Sequence, residues 1–415
     1  MNRFSIRRCE MRNLRKHYGT WFVIVFFSIS FLISDLWAYK KPGEQQRMWD
    51  RDTIAINQIK TYITNYGEFG MSPAHTSGCW WPKATNNWYI FGAGIWIAGI
   101  RNGVDSVVVN GYNTVGSGEE CIPGPKEFNN EHIQNPSSHP EIRLFVSTDS
   151  LDYAEWPYLD SLGNKVIIGD QDTWCYFNSH RDSSQTEPPY ISLPLTITRH
   201  TYAWNNDLFE NMLFFEYIIE NTDPTGTDTI RNMYVGIGSD LDVGNSDDDL
   251  VGFTRITDLG YAYTPNQEPA WNTSPPYYVG MAHLQGPVAD DTVKVGGDTL
   301  NPDTLILPGE RIPITAFRMF TRDVDANDDH ERYLAMAGYD FTETPPLYVP
   351  FRDSIDTIPT DKRMVLSSGP FFQAPGDADT VAFALVFSNG STLGLQYLRQ
   401  EAKAAREFFR AIRFR

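Results

Sequence analysis

Two acidic stretches hold the residue types best placed for chemistry. In SDLDVGNSDDDLVG, Asp240, Asp242, Asn245, Asp247, Asp248 and Asp249 fall close together along the chain. Carboxylates this crowded repel one another unless a cation or solvent neutralises them. Hard oxygen donors around a turn permitted by Gly244 suit calcium. The second stretch holds Asp323, Asp325 and Asn327, followed by Asp328, Asp329 and Glu331. Its DxDxN start is that of a calcium loop, but it lacks the Gly at position six and the acid at position twelve that an EF-hand requires. Each stretch is read as a calcium candidate, with a solvated acidic turn as the alternative.

A third group is aromatic. Trp80, Trp81 and Trp88, with Tyr89 and Trp96, and later Trp156, Tyr158, Trp174 and Tyr176, have the faces needed to stack on sugar rings. They sit beside strand-like runs, which favours packing. A coplanar, solvent-facing row of Trp80, Trp81 and Trp88 favours sugar binding, and burial of all three removes its main support. Catalytic signatures are missing: the sequence has no GxSxG, no HExxH, no phosphate-binding GxxxxGK[ST] and no strand-linked GxGxxG. Asp and Glu are so abundant that no carboxylate pair stands out, so no catalytic residue is assigned and a non-enzymatic role is expected.

The elements that must position these residues read as strands. Most segments alternate with period two between clusters of Gly, Pro, Asn and Asp. Over Tyr89–Ile100, Tyr89, Phe91, Ala93, Ile95 and Ile97 share one face and Trp96 the other. Similar runs follow at Val107–Val109, Leu144–Ser147, Leu195–Tyr202, Leu213–Glu220, Met233–Ile237, Tyr277–Ala282, Ile312–Phe320, Tyr333–Ala337, Met364–Ser367 and Val381–Phe387. One helix is expected over 395–412, where Leu395, Leu398, Ala402, Ala405, Phe409 and Ile412 recur at spacings of three and four. The fold class is therefore all-β, as two packed β-sandwich-like units with a C-terminal amphipathic helix. The Asn205-Asn206-Asp207 turn sets the expected boundary, giving units 39–205 and 206–415.

The 415 residues include 34 basic and 52 acidic ones, a formal charge of −18, with 41% hydrophobic and 14% aromatic residues. That composition is too apolar for a disordered chain, and its acidity excludes a nucleic-acid partner, which would need a basic stripe. Arg3, Arg7, Arg8, Arg12, Arg15 and Lys16 precede an apolar run from Trp21 to Ile33 that ends near Ala38, the layout of a signal peptide over 1–38. The run is too short to span a bilayer, and no later stretch is long enough, so no transmembrane segment is expected after cleavage. Cleavage removes those six basic groups together with Glu10 and Asp35, leaving 28 basic and 50 acidic residues and a charge of −22. Cys79, Cys121 and Cys175 then enter a disulfide-permitting compartment. One bridge is expected, Cys79 to Cys121, with one buried thiol over.

With the stretches FGAGIWIAGI, VVVNGY, GDQDTWCYFN, DLDVGNSDDDLVGF, LGYAYTPN and LSSGPFFQAPGDADTVAFALVF in view, the chain resembles uncharacterised secreted β-rich proteins of Gram-negative bacteria that use type IX secretion. The matching stretches span most of residues 60–412. The group supplies no activity to transfer. Its members commonly end in a small sorting domain, whereas this sequence stops at Arg415 just after the expected helix, which departs from the pattern. The resemblance implies a secreted, periplasmic or cell-surface protein with a protein or polysaccharide partner.

Overall fold

A computed structural model describes residues 50–109, 121–125, 142–180, 193–272, 274–297, 302–389 and 393–413. The expected leader lies outside these residues. Two large antiparallel sheets dominate. The first has ten strands, with a path that runs Ala316–Thr321, Lys362–Gln373, Ile230–Asp240, Gly92–Arg101, Glu68–Phe69, Lys60–Thr64, Cys79–Trp80 and Trp88–Ile90. The second has nine, with a path that runs Leu250–Thr254, Leu259–Thr264, Tyr277–Gln285, Ala378–Asn389, Met212–Asn221, Leu195–Ala203, Gln171–Asn178 and Ile122–Pro123. The fold is all-β and sandwich-like, as the alternating pattern requires.

The main core lies between the sheets. Ile95, Ile97, Val235, Ile237 and Leu366 of the first join Phe215, Tyr217, Val279, Phe383 and Leu385 of the second, all fully buried. Phe69 and Phe215 meet across the gap at 4.4 Å between ring centres, and Phe253 and Phe317 at 5.2 Å. Each such side chain contributes about 1.5–3 kcal/mol by leaving water. The alternate residues point outward and find covers of their own. Trp96 and Ala98 pack with Val107, Val109, Phe320 and Val365 beneath the short helix Asp329–Met336. Trp96 lies so close over Gly238 of the neighbouring strand that a β-carbon there would come within 2.3 Å of the indole.

The C-terminal helix Gly394–Arg413 matches the expected 395–412. It buries Leu398, Ala402, Ala405 and Phe409 against Tyr202, Phe214, Ala382, Ala384 and Val386 on the outer face of the second sheet. Arg406 fixes it in place by donating to the carbonyls of Thr257 and His283. Among the described residues no helix is long and apolar enough to cross a membrane.

Three expectations need correction. The boundary near 205 does not separate two units, because both sheets draw strands from either side of it. Gly92–Arg101 pairs with Ile230–Asp240 in one sheet, and Leu195–Ala203 with Met212–Asn221 in the other. The run Tyr333–Ala337 is not a strand, since most of it lies in the helix Asp329–Met336. There Asp328 caps the first turn by accepting from the Glu331 amide at 2.9 Å, and Glu331 accepts in return from the Asn327 amide at 2.7 Å. Finally, Cys79, Cys121 and Cys175 are all buried, and no disulfide joins them. Cys79 belongs to the first sheet and Cys121 flanks an edge strand of the second, so the expected bridge is not formed.

Candidate functional site

Three neighbouring strands of the first sheet bring their polar ends together. Ile230–Asp240 ends on Asp240, directly opposite Arg363, the second residue of Lys362–Gln373. On the other side Arg363 faces Phe320, near the end of Ala316–Thr321, from which the chain continues to Asp325. Because the strands alternate in direction, the close of two and the start of the third meet at one end of the sheet. Asp242 follows just beyond its strand, and Asp361 just precedes its own.

The result is an acidic cluster gathered around Arg363. Carboxylate oxygens of Asp240, Asp242 and Asp361 lie within 4.8 Å of one another. Arg363 reaches Asp240 at 3.2 Å, Asp361 at 3.6 Å and Asp325 at 3.7 Å, and Arg322 reaches Asp361 at 2.7 Å. Asp240, Asp361 and Asp325 are only 5%, 6% and 8% exposed. Each of these three still has one carboxylate oxygen with no hydrogen-bond partner among the described residues. Four carboxylates against two guanidinium groups leave an excess of two negative charges.

The ionisation of the site reflects that excess. Burial, with the charge of Asp242 next, holds Asp240 well above the usual carboxylate range despite Arg363. Burial and the nearby Asp361 push Asp242 up to about 7, against a hydrogen bond from Ser77. Asp325 is raised by burial to about 6. Such groups either keep protons or accept a cation in their place. Oxygen donors of this hardness are of the kind that ligate calcium.

The two acidic stretches therefore do not form two loops. Asp240 and Asp242 from the first and Asp325 from the second converge on one place. The others serve local structure. Asn245 caps the short turn Ser246–Asp248. Asp248 accepts from Thr264 at 3.2 Å and Asn266 at 2.7 Å. Asp249 is fully buried, accepts from the Val243 amide at 3.0 Å through one oxygen, and leaves its other oxygen without a hydrogen-bond partner among the described residues. Asp247 and Asp323 are exposed, and the Asn327 amide belongs to the helix cap. Asp361, Arg363 and Arg322 were missed, because an isolated Asp ahead of a strand carries no local mark of a site.

The tryptophans also separate. Trp81 is buried, stacked on Phe387 at 5.6 Å, with its indole nitrogen donating to Asn211 at 2.9 Å. It cannot join a solvent-facing row. Trp80 and Trp88 are half-buried partners on adjacent strands, with Lys60 over the Trp80 ring at 5.1 Å. The Trp88 indole donates to the Gly244 carbonyl at 2.8 Å, tying this hairpin to the acidic loop.

His200 and Asp172, 2.7 Å apart and buried, form a hydrogen-bonded His–Asp pair. The carboxylate also accepts from the amides of Ile168 and Gly169, each at 2.7 Å, and Tyr158, Trp174 and Tyr202 surround the imidazole. The pair pins a loop to the sheet. Compared with known proteins, the chain matches no family model and no curated protein. Fold and site thus define it as an all-β, sandwich-like protein with an acid-rich cluster at one end of a sheet.

Proposed function

We propose that this is an exported β-sandwich protein of the cell envelope or extracellular space, stabilised by calcium and acting in binding or structure rather than catalysis. The reading rests on one observation, the cluster Asp240, Asp242 and Asp361 beside Asp325, in which Asp240, Asp361 and Asp325 each keep one buried oxygen without a hydrogen-bond partner among the described residues and the four carboxylates exceed the charge of Arg363 and Arg322 by two. A divalent cation offsets that excess in full. It also fits a calcium-replete exterior, in keeping with the signal-peptide layout and the resemblance to secreted proteins. Thermal unfolding of the full-length chain tests it. The melting temperature should rise saturably with calcium over its value in EDTA, as for any ligand that prefers the native state, and Asp361→Asn should abolish the rise. A calcium response unchanged in that variant would place the cation elsewhere. For export, peptide mapping of the secreted protein should begin at Tyr39.

A second reading, carbohydrate binding, draws on the half-exposed pair Trp80 and Trp88 and its tie to the acidic loop through Gly244. It calls for quenching of tryptophan fluorescence by soluble glucan or xylan oligosaccharides, lost in Trp88→Ala.

A further inference from the structure

Beside the last turns of the helix Gly394–Arg413 lies a cavity of about 440 Å³. Its buried lining is Leu284 and Phe409, and its exposed lining includes Arg311, Arg410 and Arg413. Three guanidinium groups on one cavity are unexpected in a chain with 34 basic and 52 acidic residues. Carboxylates are plentiful, yet among the described residues none lies within ion-pairing reach of Arg311 or Arg410, while Arg413 pairs with Glu216.

Arg311 instead donates to the carbonyls of Gly286 at 3.1 Å and Thr380 at 3.3 Å, which holds it at the cavity. Burial lowers its pKa, and the charge of Arg413 lowers it further, against the pull of Asp379. That carboxylate is already engaged by the Val288 amide at 3.0 Å and by Gln373 at 3.2 Å. The backbone carbonyls at the helix end supply about half a negative charge. Against the three guanidinium groups, these carbonyls and Glu216 leave a positive excess of about 1.5 charges, which the nearby Asp379 reduces to about half a charge.

We propose that this cavity binds a small organic anion, with a carboxylate, sulfate or phosphate group on a compact apolar body. Guanidinium groups pair such oxyanions through parallel hydrogen bonds. Leu284 and Phe409 receive the apolar part, and the volume falls in the range of small-ligand sites, roughly 300–1,000 Å³. The site is independent of the calcium cluster and shares no residue with it.

Calorimetric titration of phenyl phosphate into the full-length chain in calcium-free buffer tests the assignment, with inorganic phosphate as a second titrant. Phenyl phosphate should bind saturably at one site and at least about tenfold more tightly than inorganic phosphate, the tenfold corresponding to 1.4 kcal/mol. Arg410→Gln and Arg311→Gln should each weaken it by about tenfold or more. Arg399→Gln, on an exposed helix position away from the cavity, controls for net charge and should bind as the parent does. Melting temperatures of the variants separate binding from a purely structural role at the helix end. Undetectable binding of phenyl phosphate by the parent overturns the site, as does equal affinity in all three variants. Equal affinity for the two probes overturns the apolar half of the proposal.

Discussion

Arg318 and Arg363 stand on neighbouring strands of the first sheet, and each gathers buried aspartates, with opposite results. Arg318 lies between Asp353 at 3.3 Å and Asp340 at 3.6 Å, and Arg352 reaches the same two carboxylates. Two cations meet two anions. Burial is the largest influence on Asp340 and works to raise its pKa, but hydrogen bonds from Thr342 and Arg352 and the charge of Arg318 prevail and lower it. Around Arg363 the count is four carboxylates to two guanidinium groups, and there burial prevails, so that Asp240, Asp242 and Asp325 are all raised. The contrast teaches that charge balance, rather than acid density along the chain, decides whether buried aspartates end up with raised or lowered pKa values.

The largest expected effect comes from removing each hub. Arg318→Met and Arg363→Met should both cost about 3–5 kcal/mol in EDTA, the usual penalty for stranding buried partners. Calcium should recover much of the loss in Arg363→Met, where the cation can take over the missing charge, and little in Arg318→Met. Urea unfolding with and without calcium reads this directly, and equal recovery in both variants would break the comparison.

The pH dependence comes next, with opposite signs for the two networks. A raised folded pKa means that the native state holds its proton more tightly than the unfolded chain does. Asp242 therefore contributes stability that is present below about pH 4 and lost as pH climbs through about 7. The shift corresponds to at most about 4 kcal/mol, less what solvent screens. Asp340, with its lowered pKa, contributes stability present above about pH 4 and lost as pH falls through its depressed value. In calcium-free buffer, Asp242→Asn should flatten the decline towards neutral pH, and Asp340→Asn should flatten the acid limb.

The smallest effect sharpens the account at the solvent edge of the cluster. Arg322 has a side chain 69% exposed and caps Asp361 from the solvent side. It competes there with an incoming cation, so Arg322→Gln should tighten calcium binding by several-fold with little change in stability in EDTA. Weaker binding would instead make Arg322 a support for the site.

The fold was legible because two-sided strands advertise themselves. Ile95 and Ile97 face the inter-sheet core while Trp96 faces the outer cover, as period two requires. The C-terminal helix was legible for the same reason at its own period. Pairing partners were not, since Ile230–Asp240 chooses Gly92–Arg101 far along the chain, and no turn residue encodes that choice. At Tyr333–Ala337 the apolar run dominated the reading, although the Asp328 cap and Glu331 three residues on carried the helix signal. The acidic site was half legible. Asp240, Asp242 and Asp325 were singled out, but proximity in sequence also drew in Asn245 and Asp248, whose oxygens satisfy nearby amides and side chains, and Asp249, one of whose oxygens accepts from the Val243 amide. Asp361 and Arg363 enter only through the register of strands.

The most direct test of the central claim is calorimetric titration of calcium into the full-length chain at neutral pH, beside the Asp361→Asn variant. The account predicts one saturable site in the parent, proton release on binding as the raised carboxylates ionise, and no heat beyond dilution in the variant. The same binding heat in parent and variant, or none in the parent, would contradict it.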